Sequence, residues 1–258
     1  MSVRVTMLGS GTSTGIPVIG CPCRVCNSDN PKNKRWRPGL KLEMAEGVVL
    51  VDTPTDLRAQ ALRFGLPRVD AIVFTHSHAD HIFGLDDVRI FNFRQRAAIP
   101  CYGSAETLRA IRRAFAYVFE PGQEGGGKPR LDLIEVREPF EVLGRRFTPI
   151  PVWHGEMEVF GYRIGDFAYV TDCNQIPETS FRQLEGVEIL VLDALRHRPH
   201  STHFSVEEAL EIAERIGPRR TILTHMAHEV DHDDPLPPGV EFGYDGLTFE
   251  INEIDDAH

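Results

Sequence analysis

The run Thr75-His76-Ser77-His78-Ala79-Asp80-His81 brings three imidazoles and a carboxylate into seven residues, directly after the apolar run Ala71-Ile72-Val73-Phe74. Imidazole nitrogen and carboxylate oxygen are the donors that suit Zn²⁺, Mn²⁺ and similar ions. Side chains two positions apart on an extended segment point the same way, so His76 and His78 can share one ion. Asp80 and His81 follow after a turn and can face another. A single ion does not need four ligands from one loop and more from elsewhere, so the spacing suggests two. Further along, His154, Asp172, Asp193 and His225 each stand at or just beyond the end of an apolar, strand-like run. Strand ends are where a rigid scaffold presents ligands to a shared site.

The elements that must position these groups can be read from pattern. Residues 3–8 read as a strand and 9–15 as a polar Gly/Ser/Thr loop. The stretch 16–38 has no clear period, and a loop that long inside a compact domain needs a function or a staple. Residues 40–44 and 48–52 bracket Glu46-Gly47 as a hairpin. A helix is expected over 56–64, closed by Gly65, then a buried strand over 71–74. Helical patterns cover 84–96 and 104–118, with a strand at 99–102 between them, and a flexible loop follows at 122–128. Strands are expected at 131–136, 146–152, 159–164, 167–171, 189–192, 220–223 and 247–251. Ser205-Val206-Glu207-Glu208 is a capping box that opens a helix, and Gly217 closes it. No repeat or linker divides the chain, so 1–258 reads as a single domain.

Composition bounds the class. The chain has 258 residues, is 41% hydrophobic and 26% charged, and carries a formal charge of −10. This is ordinary for a globular domain with a sizeable core. The acidic balance argues against a general binder of nucleic acid or anionic membrane. No apolar run approaches the roughly 20 residues needed to span a bilayer, and the N-terminus shows no signal-peptide core. Five cysteines, three of them within six residues, do not read as a disulfide framework. A cytoplasmic, reducing compartment is expected.

The set His76, His78, Asp80, His81 (H-x-H-x-D-H), with His154 in Trp153-His154-Gly155, Asp172 in Thr171-Asp172, His225 in Thr224-His225 and Asp52 ending an early strand, resembles the metallo-β-lactamase superfamily across nearly the whole chain. The resemblance implies an α/β, four-layered αβ/βα sandwich: two mixed sheets with helices outside and a dinuclear centre at their edge. It puts His76, His78 and His154 on one divalent ion (Zn or Mn), Asp80, His81 and His225 on the other, with Asp172 bridging, and a hydroxide shared by both ions as the nucleophile. A narrower resemblance joins Cys21, Cys23 and Cys26 (C-x-C-x-x-C) to His228. This is similar to the phosphodiesterases of phosphonate utilisation that open phosphoribosyl cyclic phosphate, and implies a structural Zn that staples the loop at about 16–38. Three thiolates and an imidazole are a closed tetrahedral set of the kind structural zinc prefers.

His203, in Ser201-Thr202-His203-Phe204-Ser205, is the expected general acid, counted as catalytic together with Asp80. The expected substrate is a small cyclic phosphate or nucleotide-like phosphodiester, with no membrane and no long nucleic acid as partner; relatives suggest a homodimer. The alternatives are an RNA-processing nuclease of the ribonuclease Z type, although no basic insertion of the size of its tRNA-binding arm is present, and an accessory protein of the pyrroloquinoline quinone type. Other residues keep two readings. The 9–15 loop either offers N–H groups to a phosphate or is a turn. Arg196, Arg198 and His200 form either an anion-binding loop or a solvated basic turn. Asp52 and Asp193 either orient a ligating histidine or cap a loop. Cys101 and Cys173 read as packing residues.

Overall fold

The computed structural model describes residues 2–121 and 127–252. The strands in chain order are β1 (Ser2–Gly9), β2 (Gly39–Met44), β3 (Gly47–Val51), β4 (Ala71–Val73), β5 (Ile99–Gly103), β6 (Leu131–Glu135), β7 (Phe140–Val142), β8 (Arg145–His154), β9 (Met157–Ile164), β10 (Phe167–Val170), β11 (Ile189–Asp193), β12 (Arg220–Thr224), β13 (Val240–Phe242) and β14 (Thr248–Asn252). They form two seven-stranded sheets, β14-β1-β2-β3-β4-β5-β6 and β13-β12-β11-β10-β9-β8-β7. Each sheet is mixed in the same way. The hairpin strands β14-β1-β2-β3 and β7-β8-β9-β10 pair antiparallel, and β3-β4-β5-β6 and β10-β11-β12-β13 pair parallel.

The helices are α1 (Leu57–Arg63), α2 (Ala79–Ile82), α3 (Arg89–Gln95), α4 (Ala105–Ala114), α5 (Ala116–Phe119), α6 (Glu178–Leu184) and α7 (Val206–Ile216). Three cores follow from strand alternation. Met7, Val51 and Val73 face Tyr162, Tyr169 and Val191 between the sheets. On the opposite faces Leu50, Ile72 and Phe74 pack under Leu57, Ile82 and Ile111, and Leu190 and Leu192 under Leu184, Val206 and Ala209. Central strands are therefore buried on both faces, which is why they read as continuous apolar runs and not as alternating ones. At about 1.5–3 kcal/mol for each buried aliphatic side chain, these layers dominate the stabilisation. The result is the expected four-layered sandwich of two mixed sheets with helices outside.

Local signals were faithful at helix ends. Ser205 Oγ accepts from Glu208 N and the Glu208 side chain accepts from Ser205 N, while Gly217 closes α7 at φ +72°. The pattern at 104–118 is broken at Phe115 into α4 and α5, because the Phe115 backbone leaves helical geometry and its ring packs inward. The pattern at 84–96 begins as a 3₁₀ turn, Leu85–Val88, before α3. Two short strands, β7 and β13, have three residues each, too few to show a period. Most of the loop expected at 122–128 lies outside the described residues. No helix is long and apolar enough to cross a membrane among the described residues.

Candidate metal centre

Both sheets point the C-terminal ends of their parallel strands at the same place. From the first sheet, β4 ends and Thr75 is captured at once by Asp52, the residue after β3: its N–H donates to Oδ1 (2.8 Å) and its hydroxyl to Oδ2 (2.8 Å). His76 is buried, His78 is exposed as the N-cap of α2, and the single turn of α2 carries buried Asp80 and His81 inward. His81 Nδ1–H donates to Asp52 Oδ2 (2.7 Å). That bond keeps a proton on Nδ1, so that when the ring gives up its second proton the Nε2 lone pair faces the gap. Asp52 is thus an orienting residue for His81 as well as an anchor for the loop.

From the second sheet come His154 at the end of β8, Asp172 after β10 and His225 after β12. His154 Nδ1–H donates to the Thr202 carbonyl (2.7 Å), which again leaves Nε2 free. Thr171 Oγ1–H donates to Asp172 Oδ2 (2.7 Å). Asp52, Asp172 and His225 all have left-handed backbones, with φ of 64°, 54° and 61°. Non-glycine residues adopt that region at a cost and mostly where the surroundings over-determine it, as at functional sites.

The donor atoms converge in two groups. His76, His78 and His154 form one; Asp80, His81, Asp172 and His225 form the other, with every donor in a group within 4.8 Å of the rest. Within the second group His81 Nε2 lies 3.2 Å from Asp172 and 3.5 Å from Asp80, and His225 Nε2 lies 3.1 and 3.5 Å from the same pair. Asp172 also reaches the first group, at 3.9 Å from His76 Nε2. The Nε2 atoms of His76 and His81 are buried with no hydrogen-bond partner among the described residues. Orphaned buried nitrogens are costly in a finished fold, and nitrogen and oxygen donors aimed at one gap fit divalent cations.

The electrostatics agree. Burial alone would lift Asp80 and Asp172, but the imidazoles beside them outweigh it and hold both carboxyls ionised, well below the usual carboxylate range. Burial, helped by its neighbour His81, holds His76 well below its ordinary value, and burial also lowers His78 and His154. His81 runs the other way: burial disfavours its cation, yet Asp172, Asp52 and Asp80 raise it well above the ordinary value. A pocket so rich in carboxylate calls for positive charge.

His203 stands between the groups. Its ring stacks on His225 (centroids 4.7 Å apart) and meets His154 edge-on (4.6 Å). Its Nδ1–H donates to Asp193 Oδ2 (3.1 Å), and Asp193 also accepts the Phe204 N–H. Burial opposes the His203 cation, but Asp193 prevails and raises the ring to about 9. Asp193 approaches His225 less closely, at 3.7 Å from Nδ1, so the residue it orients is His203.

A separate cluster joins the 16–38 loop to the segment after β12. Cys21, Cys23 and Cys26 Sγ lie 3.1, 3.5 and 3.7 Å from His228 Nδ1. One ring nitrogen cannot serve three thiols as a hydrogen-bond partner. Tetrahedral Zn–S and Zn–N bonds of about 2.3 and 2.0–2.1 Å put sulfur and nitrogen about 3.6 Å apart, so this spacing fits a zinc cage.

Two readings that the residues left open are narrowed by the structure. The 9–15 loop does not hold its N–H groups out to a phosphate: Ser10, Gly11, Thr12 and Gly15 spend them on Asp245, Trp36 O, Met226 O and Thr12 O. Its glycines serve close approach, since a Cβ on Gly9 would stand 2.0 Å from Arg37 O. Arg196 and Arg198 turn to Glu229 (3.9 and 3.2 Å), and of that loop His200 is the member that reaches His203 (ring centroids 5.3 Å). Cys101 and Cys173 are fully buried in the outer cores, as expected.

Sequence reasoning missed Thr75, Thr171, Asn174 and Arg35. Asn174 Oδ1 accepts the Gly155 N–H (2.8 Å) and so pins the His154 turn. Buried Arg35 donates to Ala227 O and Val230 O and pins the segment that bears His225 and His228. A threonine directly before a donor was the available signal for the first two; the others are long-range contacts without one.

Residues 48–226 match the beta-lactamase superfamily domain. The chain belongs to that superfamily. Its fold and family are those of a metal-dependent hydrolase. A crystal structure of a diphosphatase from the PhnP family is 43% identical, superposes with a TM-score of 0.92 and covers 97% of this chain and 98% of its own. The octanoyltransferase of Porphyromonas gingivalis is 37% identical over 97% of the chain, which spans about half (52%) of that relative's length. A ribonuclease Z of Mycobacterium sp. is 27% identical over 93% of the chain and 87% of its own.

Proposed function

We propose that this chain is a metal-dependent phosphodiesterase acting on a small cyclic phosphate or nucleotide-like diester. The observation that carries the reading is the pair of donor groups sharing Asp172, with the Asp193–His203 pair beside them. His76, His78 and His154 would hold one divalent ion, and Asp80, His81 and His225 the other, Zn or Mn, with Asp172 between. Such ions, when bound, supply Lewis-acid charge to a phosphoryl oxygen and make a water more acidic.

The chain's own residues supply the rest. Asp52 and the Thr202 carbonyl hold His81 and His154 in the tautomer that presents Nε2. Asp193 keeps the proton of His203 on Nδ1 and favours the cation, which suits His203 to donate from Nε2 to a departing alkoxide, a contribution of about 10²–10⁴ in rate. Asp80 serves as ligand and as neighbouring charge. Cys21, Cys23, Cys26 and His228 would hold a structural Zn that staples the 16–38 loop onto a single domain over 1–258. Five free thiols suit a reducing, cytoplasmic setting, and a homodimer is the proposed assembly.

The likeness to the PhnP-family diphosphatase favours this reading over RNA processing. The test is hydrolysis of bis(p-nitrophenyl) phosphate by protein reconstituted with Mn²⁺ or Zn²⁺, followed by ribose cyclic phosphates, cyclic nucleotides and tRNA precursors. No turnover of any diester with any divalent ion overturns the proposal.

A further inference from the structure

We infer that Phe83 is a specificity residue that receives a planar, apolar substituent, a nucleobase, on the diester whose phosphate sits at the metal centre. The inference rests on the phosphodiesterase reading above and extends it to the substrate class.

The ligand groups open to solvent on the side of His78, the exposed member of an otherwise buried set. His78 caps α2, and the exposed positions that follow it are Ala79 and Phe83. The Phe83 N–H donates to Ala79 O (3.0 Å), so the two residues stand one turn apart on the same face, about 5.4 Å along the axis. Helical side chains lean toward the N-terminus and cover the turn before their own Cα. By that rule the Phe83 ring belongs over the turn that begins at Ala79, on the helix that bears His78 at its start.

The ring is 54% exposed, yet its mount is rigid. Gly84, the next residue, donates to Thr53 O (2.9 Å), and a Cβ there would lie 2.0 Å from Pro54 O, so the backbone is pressed against the segment after Asp52. One edge of the ring packs on Phe115 (centroids 6.1 Å, planes at 89°). A firmly held aromatic face left in water beside a phosphate-handling centre is the arrangement used to stack bases. One helical turn leaves room for the sugar that separates a phosphate from its base. Isolated apolar exposure is common and by itself means nothing; the rigid mount on the ligand helix sets this residue apart.

The test compares adenosine 2′,3′-cyclic phosphate with its base-free counterpart, methyl riboside 2,3-cyclic phosphate, on metal-replete protein. Wild type should prefer the nucleotide in kcat/KM. Phe83→Ala should shrink that preference about tenfold or more, carried by KM, Phe83→Tyr should restore it, and the metal content of both variants should match wild type. Turnover by wild type without preference, or a preference that survives Phe83→Ala, overturns the inference alone. So does a change in molecular mass on Phe83→Ala with the preference intact, which would make the ring a contact between copies. No turnover of either ester by wild type overturns the phosphodiesterase reading and this inference with it.

Discussion

Replacing Asp52 with Asn leaves size and shape nearly unchanged, so its effect isolates the charge and the acceptor count. In the native chain three donors, Thr75 N–H, Thr75 O–H and His81 Nδ1–H, reach two carboxylate oxygens at 2.7–2.8 Å. An amide offers one acceptor oxygen and one NH₂. If the oxygen stays with the Thr75 amide, the NH₂ faces His81, and the ring must move its proton to Nε2. That is the atom 3.2 Å from Asp172 and 3.5 Å from Asp80, so a metal donor is blocked. Loss of such an orienting partner costs 10- to 100-fold in metal affinity or activity, about 1.4–2.7 kcal/mol. If the amide turns over instead, NH₂ meets the buried Thr75 N–H, and the clash costs about 1–3 kcal/mol of fold stability. Chelator competition reads the first outcome, and thermal denaturation without metal reads the second. Thr75→Val keeps the Asp52–His81 bond but removes both a loop anchor and the hydroxyl that lies 3.1 Å from His76 Nδ1, so it reports on the loop and on His76 and not on His81. A variant Asp52→Asn with wild-type metal affinity, turnover and stability would refute the orienting role.

Four further outcomes are expected. His203→Ala should lower kcat about 10²–10⁴-fold while metal analysis finds both catalytic ions retained; loss of metal would make His203 a ligand instead. Cys23→Ser should remove one zinc per chain and expose the 16–38 loop to limited proteolysis with the other ions in place, and an unchanged zinc count would dismiss the cage. Metal uptake should release protons, because a cation must displace the proton that Asp172, Asp52 and Asp80 hold on His81. A group raised in the apo protein binds its proton more tightly, so affinity should fall as pH falls; calorimetry in buffers of different ionisation enthalpy measures the count, and zero protons below pH 7 contradicts it. Gly9→Ala should destabilise by about 1–3 kcal/mol in denaturant titration, because Arg37 O occupies the space; a neutral result would restore the reading of the loop as a free turn.

Most of the donor set was legible because its residues combine a rare type with a fixed place. His76, His154, Asp172, Asp193 and His225 each end a run of buried aliphatics, and a run and its end are both local facts. The helix limits at Ser205 and Gly217 were legible for the same reason, since caps are local chemistry. What the sequence hid is the pairing between distant segments. Asp52 and His81 are 29 positions apart, His154 and Thr202 are 48 apart, and Arg35 and Ala227 are 192 apart. Nothing in residue type says that Asp193 would choose His203 over His225, or that Arg196 would turn to Glu229. The 9–15 loop stayed open between two readings for a related reason: glycine gives both a free N–H and the room for another segment to pass, and here the segment at 35–37 takes the room.

The left-handed backbones explain how one fold satisfies both demands. A strand that ended in a gentle turn would carry its next side chain past the sheet edge and into solvent. At Asp52, Asp172 and His225 the chain turns immediately, and the donor stays beside the edge where the other sheet presents its own. Glycine would make that turn without strain but offers no donor, so each site accepts about 1–3 kcal/mol of backbone strain to keep a side chain there. The neighbours supply the restraint. Thr171 Oγ1 grips Asp172, Thr75 and His81 grip Asp52, and stacking on His203 holds His225. Each of the three is also next to a strand buried on both faces in the parallel half of its sheet. The rigidity of the cores is thereby carried to the donor atoms, and the geometry of the centre is set before any cation arrives.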